Sequence, residues 1–170
     1  MPPEFRAGIG YDIHPFTGGR PLVLGGIVIE HEKGLSGWSD ADVLIHAVID
    51  ALLGAANLGD IGQHFPAGKA EFNNVSSVSL LARVKALLAE RCWEISNIDA
   101  NIIAEQPKVS HYLPEMQAKI ASVLEIDKDL VSIKAKTGNG LGWEGRGEGI
   151  AAQAVAMILR RHCQHERRMI

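Results

Sequence analysis

The stretch SDADVLIHAVIDALLGAA, residues 39–56, has almost no surface to show to water. Wound at 3.6 residues per turn, it is apolar nearly all the way round. Val43, Ala47, Ala51 and Ala55 cover one side, Leu44, Val48 and Leu52 the next, and Ile45, Ile49 and Leu53 a third. Such a helix has to be enclosed, so the rest of the chain must be built around it. Ser39, Asp42, His46 and Asp50 form its one polar stripe, at helical spacing. Ser39 suits the N-cap, and Asp42 stands three residues on, where a capping box places an acid. The stripe reads as a solvated face, the usual fate of a lone histidine on a helix, or as part of a site. A solvated face would normally also carry Lys or Arg, and this one carries neither.

A second Asp/His pair lies in GYDIHPF, residues 10–16. On a strand, Asp12 and His14 point to the same face, immediately before a proline expected to stop the pairing. The buried helix could cover that strand. Two histidines and one aspartate would make three ligands and leave a fourth tetrahedral position open, the pattern of a catalytic rather than a structural zinc. The spacing alone is a weak signal.

The remaining pattern predicts a strand over 5–13, a hairpin over 22–29 around Gly25-Gly26, a loop over 65–76, and a helix over 77–92. A strand over 95–104 follows, then a loop, a helix from Pro114 to Leu124 and a strand over 130–137. Residues 138–149 hold six glycines and lead into a final apolar helix over 150–162, with a frayed charged tail after it. This is an α+β chain: a mixed sheet packed against helices on one side, with an extra β-hairpin, in one domain of residues 1–170. At 46% hydrophobic residues it can bury a full core. A net charge of −3 speaks against nucleic acid as partner. No run approaches the roughly 20 apolar residues of a membrane span, and no secretion signal opens the chain, so a cytoplasmic location is expected. Cys92 and Cys163, far apart and outside any CxxC, read as free thiols, which leaves nitrogen and oxygen to hold any metal.

Taken together, SDADVLIHAVIDALLG, GYDIHPF, LGDIGQHFP and GRGEGIAAQAV resemble the 2-C-methyl-D-erythritol 2,4-cyclodiphosphate synthases of the non-mevalonate isoprenoid pathway. The resemblance runs from about residue 6 to residue 160 and implies a homotrimer with active sites shared between neighbours. It implies that Asp12, His14 and His46 hold one Zn2+ per subunit, and that a second divalent cation, Mg2+ or Mn2+, accompanies the substrate diphosphate. Asp60 and Gly62 then hold the erythritol hydroxyls, beside Ile61 and Phe65. Ala104, Pro107 and Lys108 belong to a cytidine pocket. Thr137, Lys108, and Trp38 with its neighbour Ser39 face the phosphates, next to Ala135 and Lys136. Trp143, Arg146 and Glu148 fall near a three-fold axis, where a central cavity could take an isoprenoid diphosphate.

The chain departs from that pattern in places. Trp38 stands where a histidine commonly contacts the diphosphate, and its indole can donate one hydrogen bond but carry no charge. Lys136 stands for a common threonine and Asn139 for a glutamate, so Lys136 is a candidate to replace charge otherwise supplied by the second metal. Two rival readings remain. In a zinc hydrolase the same ligands would activate water, with Asp42 or Asp50 as base, although either could equally orient His46. A non-catalytic trimeric binding module would use the central cavity alone.

Overall fold

The structure is a computed structural model that describes residues 4–161. Strand β1 (Phe5–Thr17) leads into a hairpin of β2 (Leu22–Leu24) and β3 (Ile27–Ile29), then a short β4 (Gly34–Leu35). Helices α1 (Val43–Ala55), α2 (Ile61–His64) and α3 (Ser77–Glu90) follow. The chain then runs through β5 (Trp93–Ile103), α4 (Leu113–Leu124), β6 (Val131–Lys136), α5 (Gly142–Gly145) and β7 (Gly149–Arg160). Five strands form one sheet in the order β4-β1-β7-β5-β6. It is mixed: β5 and β6 are parallel, while β1 pairs antiparallel with β4 and β7, and β7 with β5. The α+β expectation holds, including the separate hairpin.

Helix α1 lies on β1 and β7, α3 beside it, and α4 next to β6. Of its thirteen residues only Asp50 and Gly54 are not buried. The chain admits the helix so closely because β1 has no side chains beneath it at two points. A Cβ on Gly8 would lie 2.0 Å from the Ala51 carbonyl oxygen, and one on Gly10 would lie 1.9 Å from that of Ala47. Among the described residues the opposite face of the sheet carries only the short α5, whose Trp143 shares a hollow with Ile13, and is otherwise bare and partly apolar: Ile9 is 68% exposed, Tyr11 51% and Val155 49%.

Four expectations are corrected. Residues 150–162 do not continue as a helix; the described part is β7, the middle strand of the sheet. Its alanines 152, 154 and 156 lie buried under α1, where small residues are needed. Val155 and Met157 occupy the bare face, so the alternation that marks a strand was hidden by apolar residues on both sides. Pro15 does not end β1: it pairs with Gly149, and beyond it the strand changes partner to β4. The N-cap of α1 is Asp42, whose carboxylate accepts from Ile45 N, and not Ser39. Finally, Cys92 is disulfide-bonded and not a free thiol. The ladder brings Arg161 against it, N–H to Cys92 carbonyl at 2.9 Å, two residues before Cys163, which lies outside the described residues. The tail is likewise outside them.

Candidate functional site

Asp12 and His14 sit on the helix-facing side of β1, and α1 brings His46 over them. Asp12 Oδ2 lies 2.8 Å from His46 Nδ1 and 3.0 Å from His14 Nε2, and the two ring nitrogens are 3.2 Å apart. Among the described residues this is the one group of three or more His, Cys, Asp or Glu side chains able to share an ion. Burial pushes the Asp12 carboxyl up, but hydrogen bonds and charge from His14 and His46 outweigh it and bring it down to about 2. For His14, burial and the nearby Arg20 charge pull down, and the Asp12 carboxylate outweighs them, raising it. A carboxylate and two imidazoles this close call for positive charge among them, as protons or as a cation.

The surroundings decide which atoms carry lone pairs. His14 Nδ1 lies 2.6 Å from the Ser36 carbonyl oxygen, which can only accept, so Nδ1 carries the proton and Nε2 faces the cluster with its lone pair. His46 Nε2 touches Ser77 Oγ at 2.9 Å and Ser39 Oγ at 3.1 Å. Ser77 gives its own hydroxyl proton to Asp40, whose carboxylate also accepts Ser77 N–H at 2.8 Å. Ser77 Oγ therefore accepts from His46 Nε2–H, which leaves the Nδ1 lone pair turned to Asp12. Tetrahedral zinc with bonds of about 2.0–2.1 Å separates its ligands by about 3.3 Å, close to the spacing found here. The donor set and its orientation fit such an ion.

Sequence reading missed Ser36, which follows β4, Ser77, which opens α3, and Asp40, which lies in the SDAD stretch but shows no partner there. It also gave Asp42 and Asp50 the wrong neighbours. Asp42 is fully buried on the hairpin turn, accepting from Gly25 N at 2.9 Å and Gly26 N at 2.6 Å. Asp50 accepts from Ile61 N at 2.7 Å, anchoring α2. Neither carboxylate bonds the His46 ring; Asp42 meets His46 only through its backbone carbonyl, which accepts the His46 N–H at 3.0 Å.

A cavity of about 220 Å³ opens beside the cluster, with Trp38, Ser39, Ile61, Gly62 and Phe65 in its wall along with the three ligands. Asp60 precedes the lining residue Ile61 as the N-cap of α2 and is bonded by Gln63 through both backbone and side chain. The Trp38 indole N–H, free for a ligand in the sequence reading, is instead given to the Lys69 carbonyl at 2.9 Å.

The other expected site residues do not reach this cavity within one chain. Asp12 shares a row of the sheet with Ala152, Ile102 and Ala135. At 4.7–4.9 Å per strand, β5 stands about 10 Å and β6 about 14 Å from β1. Ala104, Pro107 and Lys108 follow β5; Lys108 Nζ bonds the Glu105 carbonyl at 3.2 Å. Ala135, Lys136 and Thr137 close β6, with Thr137 Oγ1 on Asn139 Oδ1 at 3.1 Å. Alternation puts Lys136 in the row of Ile13, Ala151 and Ile103, on the bare face and not on the side of Asp12. Trp143 lines a separate hollow with Ile13 and Glu148, and Arg146 is ion-paired with Glu148.

Residues 5–159 match the YgbB family. The chain is 53% identical over 155 residues to a 2-C-methyl-D-erythritol 2,4-cyclodiphosphate synthase from Synechocystis, covering 91% of this chain and 96% of that one. It is 49% identical over 153 residues to the enzyme of the same name from Clostridium botulinum, covering 90% and 99%. Among solved structures it resembles the bifunctional IspDF of Campylobacter jejuni, with TM-score 0.90 and 38% identity over 94% of this chain and 43% of that one. It also resembles IspF of Plasmodium falciparum in its CDP complex, with TM-score 0.81 and 32% identity over 93% and 97%.

Proposed function

Because the chain belongs to the YgbB family and is an enzyme of the cyclodiphosphate synthase kind in isoprenoid precursor synthesis, we propose that it cyclises 4-diphosphocytidyl-2-C-methyl-D-erythritol 2-phosphate in the cytoplasm. An oxygen of the 2-phosphate attacks the β-phosphorus, the bond from that phosphorus to the α–β bridging oxygen breaks, and CMP leaves with the electron pair. The products are CMP and the 2,4-cyclodiphosphate. The observation that carries this reading is the Asp12–His14–His46 cluster opening into its own cavity. A zinc ion held there would supply Lewis-acid charge for phosphate oxygens, with Mg2+ or Mn2+ accompanying the diphosphate.

The chain's own part is orientation. A phosphate monoester with a second pKa near ~6 is already mostly dianionic at neutral pH, so no residue has to create the nucleophile. Asp60, just before the cavity-lining Ile61 and Gly62, would offer its carboxylate to erythritol hydroxyls. Ala104, Pro107 and Lys108 would hold the cytidine end, and Ala135, Lys136 and Thr137 the phosphates. The CDP named with the Plasmodium relative supports a cytidyl ligand for this chain. The two groups of residues stand on strands about 10–14 Å apart, and none of the second group lines the cavity beside the cluster. The bare, partly apolar sheet face supports a homotrimer in which one chain's metal half faces its neighbour's cytidine half. Trp143, Arg146 and Glu148 would then border a central cavity with room for an isoprenoid diphosphate. The hydrolase reading lacks its base, since Asp42 and Asp50 are committed to backbone donors.

The test incubates the protein with the cytidyl substrate, Zn2+ and Mg2+, and follows phosphorus NMR. Cyclic diphosphate and CMP should appear in equal amounts. His46→Ala should lose zinc and nearly all turnover while staying folded. Free methylerythritol phosphates in place of the cyclic product, or full zinc occupancy in His46→Ala, would overturn the reading.

A further inference from the structure

Both histidines of the cluster are held by one short irregular segment, residues 36–39, between β4 and α1. Ser36 presents its carbonyl to His14 Nδ1, and Ser39 presents its hydroxyl to His46 Nε2. No ladder fixes this segment: the Ser36 N–H goes to the Pro15 carbonyl at 2.9 Å, and Trp38 is tied to the loop before α3, its carbonyl accepting from Asn74 N at 2.8 Å and its indole N–H going to the Lys69 carbonyl, which leaves the Gly37 and Ser39 carbonyls to another donor. What spans it is Arg20, from the turn after β1. Its Nη1 donates to the Gly37 carbonyl at 2.6 Å and its Nη2 to the Ser39 carbonyl. The two prongs thus flank Trp38, one beside Ser36 and the other on Ser39 itself. Clearance below is small: a Cβ on Gly37 would lie 3.1 Å from His14 Cε1.

We infer that Arg20 is a positioning residue that sets the ring orientation of both metal-ligand histidines, and the protonated nitrogen of His14, through the Ser36–Ser39 backbone. The planar guanidinium holds the two carbonyls in one rigid fork, whereas a rotatable ammonium could reach both without fixing their spacing. With the fork gone, the Gly37 and Ser39 carbonyls turn to water, and the Ser36 acceptor and the Ser39 hydroxyl move off the imidazoles. The consequence for a metal rests on the zinc reading above; the consequence for the tautomers does not.

The test compares wild type, Arg20→Gln and Arg20→Lys, each as the full chain. Zinc affinity is read by chelator competition. Histidine nitrogen NMR on the metal-free proteins reports which ring nitrogen of His14 carries the proton, and thermal unfolding reports stability. Arg20→Gln should bind zinc about 10–100-fold more weakly. It should also show the proton no longer confined to His14 Nδ1, while in wild type the Ser36 carbonyl keeps Nδ1 protonated whether or not Nε2 carries a proton as well. Arg20→Lys should recover part of both effects, and serves alone if Arg20→Gln does not fold. Zinc affinity and tautomers unchanged in the variants, or changed only where stability has collapsed, would overturn the inference. Absence of zinc binding by wild type would sink the metal reading and leave the tautomer comparison to decide on Arg20.

Discussion

Asp42 is the acid that the polar stripe made easiest to misread. Burial pushes its carboxyl up to about 6, against the pull of N–H groups from Ile45, Gly26 and Gly25. The folded state therefore holds this proton at pH values where the unfolded chain, near 3.8, has released it. Between those values folding binds a proton, so stability falls as pH rises from about 4 to about 6 and is level in this respect above that. Relative to Asp42→Asn, the metal-free wild type should lose on the order of 2–3 kcal/mol across that window. Urea unfolding of both proteins at a series of pH values measures it; a constant difference would show that Asp42 does not titrate there. The candidate cluster was legible in the residues: a stripe with no lysine or arginine pointed to His46, and period-two spacing to Asp12 and His14. Their supports were not. Ser36, Ser77, Asp40 and Arg20 act through loop backbone or through one another, and nothing in their local sequence records a partner dozens of positions away.

Between elements, the decisive contact is α1 on β1. Gly10 faces the Ala47 carbonyl and the Ala51 nitrogen, backbone atoms that cannot rotate away. Gly10→Ala should therefore force the helix off the strand and cost roughly 3 kcal/mol or more, at or beyond the upper end of usual overpacking. Gly18→Ala, with nothing within 4 Å of the added carbon, should cost far less and serves as the control. Equal melting temperatures for the two variants would refute the close approach. The same contact explains which elements sequence could supply. Helix α1 announces itself because burial on every side leaves it no polar face, and α3 and α4 keep ordinary one-sided patterns. Strand β7 has alanine where α1 needs small residues and Val155 and Met157 where the sheet is bare, so its composition imitates a buried helix. Its true state depends on pairing with β1 and β5, which is non-local information.

At the scale of the whole molecule, the two groups of candidate site residues lie on strands separated by β7 and, for β6, also by β5. If neighbours complete one another, two inactive proteins should together regain activity. Equal amounts of His46→Ala and Thr137→Ala, exchanged into mixed trimers, should leave about a quarter of the sites with both halves intact by random assortment. No recovery after subunit exchange has been verified by mass would rule out shared sites. The bare face has a further consequence. Ile9, Tyr11 and Val155 remain in water for as long as a chain is alone. On that assembly, dilution would uncover this surface and separate the half-sites in a single step. Folding stability and turnover would then fall together along the same mass-action curve, and the number of copies in a cell would itself govern how much of the protein works.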